Sequence, residues 1–287
     1  MRPDQRAAYV ELVKAAEPLY RQLRKDEVNP SGLVDAHDPK VARVLRDILA
    51  SARRRFLLAF KPGDLDALRE DARAALERAF PAELSTKLVD ALANVASDLI
   101  DHNVATYSLE IDVEQANSAA IGFLRDRVDN VFSSLSDAQA KSVYDAISQA
   151  KSEEHTLDDV TAAVKGVVGR ELSWETADGT RTMDVDTWAE LTARTEGTRA
   201  ATAGTRAALV AGGYETWRWL AEGGACDDCA GNDDEVVEIG EAFSSGDTES
   251  PAHPGCRCPV IPNVVELTGD DENPDEQDDP EASDQGY

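Results

Sequence analysis

The fold is decided by two short runs near the C-terminal end: W-R-W-L-A-E-G-G-A-C-D-D-C-A-G, from Trp217 to Gly231, and H-P-G-C-R-C-P-V-I-P, from His253 to Pro262. All four cysteines of the 287-residue chain, Cys226, Cys229, Cys256 and Cys258, lie inside them, and His253 precedes Cys256 by three residues. A C-x-x-C turn puts two thiolates on one loop, and a second pair at a distance lets one ion join two loops, as tetrahedral zinc requires. The second pair is C-x-C rather than C-x-x-C, so His253 competes with Cys256 or Cys258 as a ligand. Two disulfides in an oxidising compartment, or four plain thiols, are the alternatives that this spacing leaves open.

The same residues bear on chemistry. Four cysteines around zinc would close its shell and make the site structural, whereas His253 as a ligand with one free cysteine keeps an open site among the readings, with Asp227, Asp228, Asp233 or Asp234 as bases. A cysteine nucleophile paired with His253 is the other catalytic arrangement. The chain has no G-x-S-x-G elbow, no phosphate-cradling glycine loop and no H-E-x-x-H helix. The expectation is a non-enzyme.

Working outward, A-R-T-E (Ala193, Arg194, Thr195, Glu196) sits on a helix that stops at Gly212-Gly213 ahead of the tryptophan strand. The order A-R-T-E, C-x-x-C, H-P-x-C-R-C resembles the phage Mu F-like head morphogenesis family, the minor head proteins of tailed viruses. The strongest match spans about 191–262, with a looser helical match back to about 115. The resemblance implies a structural minor capsid protein of the virion, made in the host cytoplasm and located inside the capsid at or near the portal vertex. Its implied partners are the portal and major capsid proteins, with local contact to packaged DNA during packaging or ejection. It also implies that Arg194 and Glu196 face inward and tie their helix to the cysteine module. A non-viral zinc-binding adaptor with an acidic tail, and a cysteine-dependent hydrolase, are the competing readings.

Charge limits what the surface can do. The formal net charge is −27 and the pI near 4.4, which excludes a generic nucleic-acid-coating surface, because phosphate binding needs clustered Lys and Arg. Ten acidic residues and no basic one follow Asn263; taking those ten from −27 leaves −17 for the rest. Of 29 basic residues only 8 are Lys. Such acidity suits a halophilic host, where salt screens carboxylate repulsion. No run of eighteen apolar residues appears, so no membrane contact is expected.

The expected fold is mainly α over the N-terminal two thirds, with a small C-terminal α+β cysteine-rich module. The division expected is a helical region 1–110, a helical part 111–212, the Cys/His module 213–262 and an acidic disordered tail 263–287. The first helix is read over 4–27 and a loop over 28–37. Asp38 then caps a helix that begins at Pro39 and runs to about Phe60, with Arg53, Arg54 and Arg55 near its end; these offer either a solvated face or a contact for DNA or an acidic partner. Asp64 opens the next helix, and another runs from about Ser85 past Asn103. Helical spacing resumes at Gln115, with a new helix beginning at Ser136-Asp137. Thr156 and Asp159 form a capping box, and Ala177-Asp178-Gly179 reads as a hairpin turn. In the run from Tyr214 to Leu220, alternation puts Trp217 and Trp219 on one face of a strand, as apolar cover for the cysteines. Val236 to Ile239 and Cys258 to Ile261 read as two further strands.

Overall fold

The computed structural model describes residues 30–263, residues 82 and 154 excepted. The expected first helix and the acidic tail therefore lie almost wholly outside the described residues. Within these residues the chain is mainly helical, with a small strand-bearing region at the C-terminal end.

Helix α1, Ser31–Ala59, buries one stripe that includes Val34, Val41, Leu45, Ile48, Leu49 and Phe56. It starts about two turns before the expected Asp38 cap, and Pro39 lies inside it. The extra turns are held by side chains: His37 Nε2 lies 2.7 Å from Asp98, Arg194 lies 3.7 Å from Asp38, and Arg257 lies 3.6 Å from Asp35.

Helix α2, Leu68–Ala79, begins four residues after Asp64, whose carboxylate instead accepts the Asp66 and Ala67 amides in an irregular lead-in. Helix α3 is Glu83–Tyr107. Helix α4, Val113–Ser152, is capped by Asp112 and runs unbroken for 40 residues, so the expected break at Ser136-Asp137 does not occur. Leu135, Ala138, Ser142 and Val143 are all buried across that point. The continuous apolar stripe outweighs the local capping signal. Thr156 and Asp159 make the expected capping box for α5, Leu157–Val167.

Strands β1 (Glu171–Thr176) and β2 (Gly179–Asp184) form the expected antiparallel hairpin. It docks on α4 through Gln139, which accepts the Gly169 amide and donates to the Glu171 carbonyl. Helix α6, Val185–Ala211, is capped by Asp184, and the left-handed glycine at its end is Gly213, φ +73°. Strands β3 (Thr216–Trp219), β4 (Val236–Glu238) and β5 (Val260–Pro262) make an antiparallel sheet in the order β4-β3-β5. One helical turn, α7 (Asp227–Gly231), separates β3 from β4.

Among the described residues the core has three parts. The largest joins α1, α3, α4 and α6, so residues on both sides of position 110 share it. A second gathers the end of α1, α2, the second half of α4 and α5. The third is small and belongs to the C-terminal sheet: Trp217, Trp219, Phe243, Val260 and three cysteines, closed over Leu209 of α6.

Candidate metal centre

The sheet presents its donors from two loops. Trp217 and Trp219 of β3 are fully buried on one face, with Trp219 meeting Phe243 edge-on at 5.0 Å. The chain then turns into α7, whose N-cap is Cys226 and whose buried residue is Cys229. The Cys229 amide donates to Cys226 Sγ at 3.5 Å, the local bond that a C-x-x-C turn builds. The second loop brings His253, Cys256 and Cys258 up to β5. Cys256 and Cys258 are buried, and the Glu222 amide donates to Cys258 Sγ at 3.4 Å.

The five donors gather in two overlapping triads, Cys226–Cys229–His253 and Cys229–Cys256–Cys258, each with ligand atoms within 4.8 Å of one another. Cys229 Sγ lies 3.7 Å from Cys256 Sγ and 3.7 Å from His253 Nε2, and Cys226 Sγ lies 3.4 Å from the same nitrogen. Tetrahedral geometry with metal–sulfur bonds of about 2.3 Å and metal–nitrogen bonds of about 2.0 Å gives edges of about 3.8 Å and about 3.5 Å. The donors stand at metal-binding distances. All four cysteines are free, and a disulfide would need sulfurs about 2 Å apart.

The histidine is oriented for the same task. Its Nδ1 lies 3.0 Å from the Pro254 carbonyl, and since a carbonyl only accepts, Nδ1 carries the proton. With Nδ1 turned to that carbonyl, Nε2 faces Cys226 and Cys229, where a ligand nitrogen must stand. That carbonyl, and the neighbouring Cys256 and Cys226, raise the His253 pKa. Among the thiols, amide and side-chain hydrogen bonds from Cys229 hold Cys226 below its ordinary range, and a hydrogen bond from Cys258 draws Cys256 down to about 5. Burial, with Cys256 beside it, pushes Cys229 up to about 12, and hydrogen bonding to Cys256 with burial raises Cys258. Cys256 is thus favoured as a thiolate, and an incoming cation displaces the remaining protons. An opening of about 120 Å³, bordered by Glu222, Gly224, His253 and Arg257, leads to the cluster.

The centre is fastened to α6 by hydroxyls. Thr198 Oγ1 donates to the Cys256 carbonyl at 2.9 Å, and the Gly255 amide donates to Thr195 Oγ1 at 2.9 Å. Gly255 has φ +77°, and an added Cβ would stand 3.2 Å from Leu191 Cδ1, so the H-P-G-C turn needs glycine there. Arg206 pairs with Glu249 at 3.0 Å and lies 5.2 Å from the Trp217 ring centre.

This corrects one expectation. Glu196 faces inward and is 3% exposed, but it accepts two hydrogen bonds from Arg127 of α4, at 2.5 and 2.8 Å, and joins two helices. Arg194 is half-exposed and pairs with Asp38 of α1. The tie to the cysteine module is made by Thr195 and Thr198 instead. Its signal in the sequence is a row of threonines, 195, 198, 202 and 205, on one side of α6. The arginine run divides as well: Arg53 donates to the Val168 carbonyl, while Arg54 and Arg55 are exposed.

No helix of the described residues is long and apolar enough to cross a membrane. Comparison of the chain with protein-family models, with curated proteins and with solved structures finds no match.

Proposed function

We propose that this chain is a structural minor head protein of a tailed virus, with a zinc-closed C-terminal module docked on a helical body. The observation that carries the reading is a convergence. The three segments that resemble the Mu F-like family lie up to 60 residues apart, yet A-R-T-E and H-P-G-C meet through the bond from the Gly255 amide to Thr195, and C-x-x-C meets H-P-G-C at the cysteine cluster. A resemblance scattered over unrelated surfaces would give no such meeting.

Zinc is the ion favoured by a donor set of thiolates and one imidazole without a carboxylate. The two triads share Cys229, and four donors drawn from them would leave no place for water, which favours a structural role over a catalytic one. In this reading the ion fixes the two loops and the small sheet, and the helices supply surfaces for the portal and major capsid proteins. The acidic exterior keeps the protein from adhering to the genome, so that packaged DNA slides past.

Quantitative mass spectrometry of purified particles from the source virus, before and after genome ejection, tests the proposal. A few copies per particle are expected, and loss on ejection would add a delivery role. Absence from particles at every stage of head assembly would overturn it. Tight binding to duplex DNA at moderate salt would overturn the role given to the acidity.

A further inference from the structure

Along α1 the charge of the chain reverses. From Lys40 to Lys61 there are seven Lys and Arg and one acidic residue, Asp47; this stretch carries +6 in a chain of −27, which leaves −33 for the rest. The fold itself uses two of the seven. Arg46 lies 3.8 Å from Asp186 and 3.8 Å from Glu190, and Arg53 donates to the Val168 carbonyl. The other five, Lys40, Arg43, Arg54, Arg55 and Lys61, are exposed, and none forms an ion pair with a described carboxylate.

These positions repeat with the helix. Lys40, Arg43, Asp47, Arg54 and Leu58 follow one another at steps of three, four, seven and four, which keeps them on one side of α1, away from the buried Val41, Leu45, Leu49, Ala52 and Phe56. At 1.5 Å per residue the stripe is about 27 Å long. Leu58 is 76% exposed; alone it would call for no explanation, but it stands one turn beyond Arg54 in the same stripe. Solvation asks only that an outer face be polar, and gives no reason for one sign of charge in so acidic a chain. The pattern selects a class of partner. Unpaired guanidinium groups suit carboxylates or phosphates. Asp47, between Arg43 and Arg54, repels phosphate, and Leu58 gains nothing from it. Where α1 passes α3, a groove sets Lys40 and Lys87 with Asp90 and Asp98, again both signs. An acidic protein segment answers each of these: carboxylates for the arginines, a basic residue for Asp47, an apolar side chain for Leu58.

We propose that the outer face of α1, from Lys40 to Lys61, is a docking surface for an acidic helix of a partner protein, laid along the stripe with carboxylates against Arg43, Arg54 and Arg55 and an apolar side chain against Leu58. The surface has this use whatever the role of the chain in a virion.

Fluorescence anisotropy of a labelled helical peptide, with glutamates and leucines on one face and a single lysine among them, titrated with the full chain at low salt, decides the matter. Binding should weaken about tenfold when Arg43→Glu and Arg54→Glu are combined, and severalfold in Leu58→Asp. Arg181→Glu, on the exposed β1–β2 hairpin, should leave it unchanged, and the circular dichroism of every variant should match that of the parent. Exchanging the peptide's glutamates for lysines should restore binding to the double variant. No binding of the acidic peptide, equal binding by Leu58→Asp, tighter binding to duplex DNA than to the peptide, or a self-association that only the double variant loses would overturn the proposal.

Discussion

Cys229 belongs to both triads of the cluster and is fully buried, whereas Cys226 belongs to one and is exposed. Replacing Cys229 by Ser should therefore abolish metal retention and melt the C-terminal sheet, while Cys226→Ser should weaken retention and leave the helical body folded. Metal content after gel filtration, with tryptophan emission from Trp217 and Trp219, separates the two. Asp38 carries a different prediction. Burial and the neighbouring Asp35 raise its pKa to about 6, against the opposing pull of Arg194 and Arg257. A carboxyl raised on folding holds its proton more tightly in the native state, so its ionisation is a penalty that grows as pH rises from about 4 through about 6. Asp38→Asn should stabilise the protein by roughly 2 kcal/mol at neutral pH and by nothing near pH 4, measured by denaturant unfolding. The cysteines and His253 were legible because metal chemistry admits few residue types. Asp38, Thr195 and Thr198 were not, since their roles depend on which helix passes beside them.

Among the elements, α6 is the strut on which the others are assembled. Its Gly204 lies so close to α3 that an added Cβ would stand 2.5 Å from the Ala96 carbonyl oxygen, a backbone atom. Alanine is the better helix former by about 1 kcal/mol, but the clash forces two packed helices apart, and overpacking costs about 1 to 3 kcal/mol. Gly204→Ala should therefore lower stability, and a thermal unfolding midpoint equal to or above that of the parent would contradict the close approach. Periodicity made the existence of the helices legible, and the capping box at Thr156 gave a correct start. It failed where a local signal met a tertiary one. Pro39 looks like a helix start, and Ser136-Asp137 looks like another, but His37 with Asp98 and the buried Leu135 to Val143 stripe carry the helices through both.

For the molecule as a whole, charge and metal set the conditions for stability. A net charge of −27 opposes compaction, and salt screens that repulsion over a Debye length of about 10 Å at 0.1 M and about 3 Å at 1 M. The melting temperature should rise between low and molar potassium chloride; an unchanged value would remove the argument for a salt-accumulating host. The mainly helical body and the small strand-bearing module were both legible from composition and spacing. That the helices before and after residue 110 share one core was not, since the pairing of α1 and α3 with α6 has no sequence signature in either half. The sheet's own core is a handful of residues, three of them cysteines. So little buried surface needs a further clamp. Elemental analysis of the purified protein, with its free thiols counted after denaturation in chelator, tests that clamp most directly. The account predicts one zinc per chain and four titratable thiols; a metal-free, folded protein with four thiols, or one with two disulfides, would contradict it.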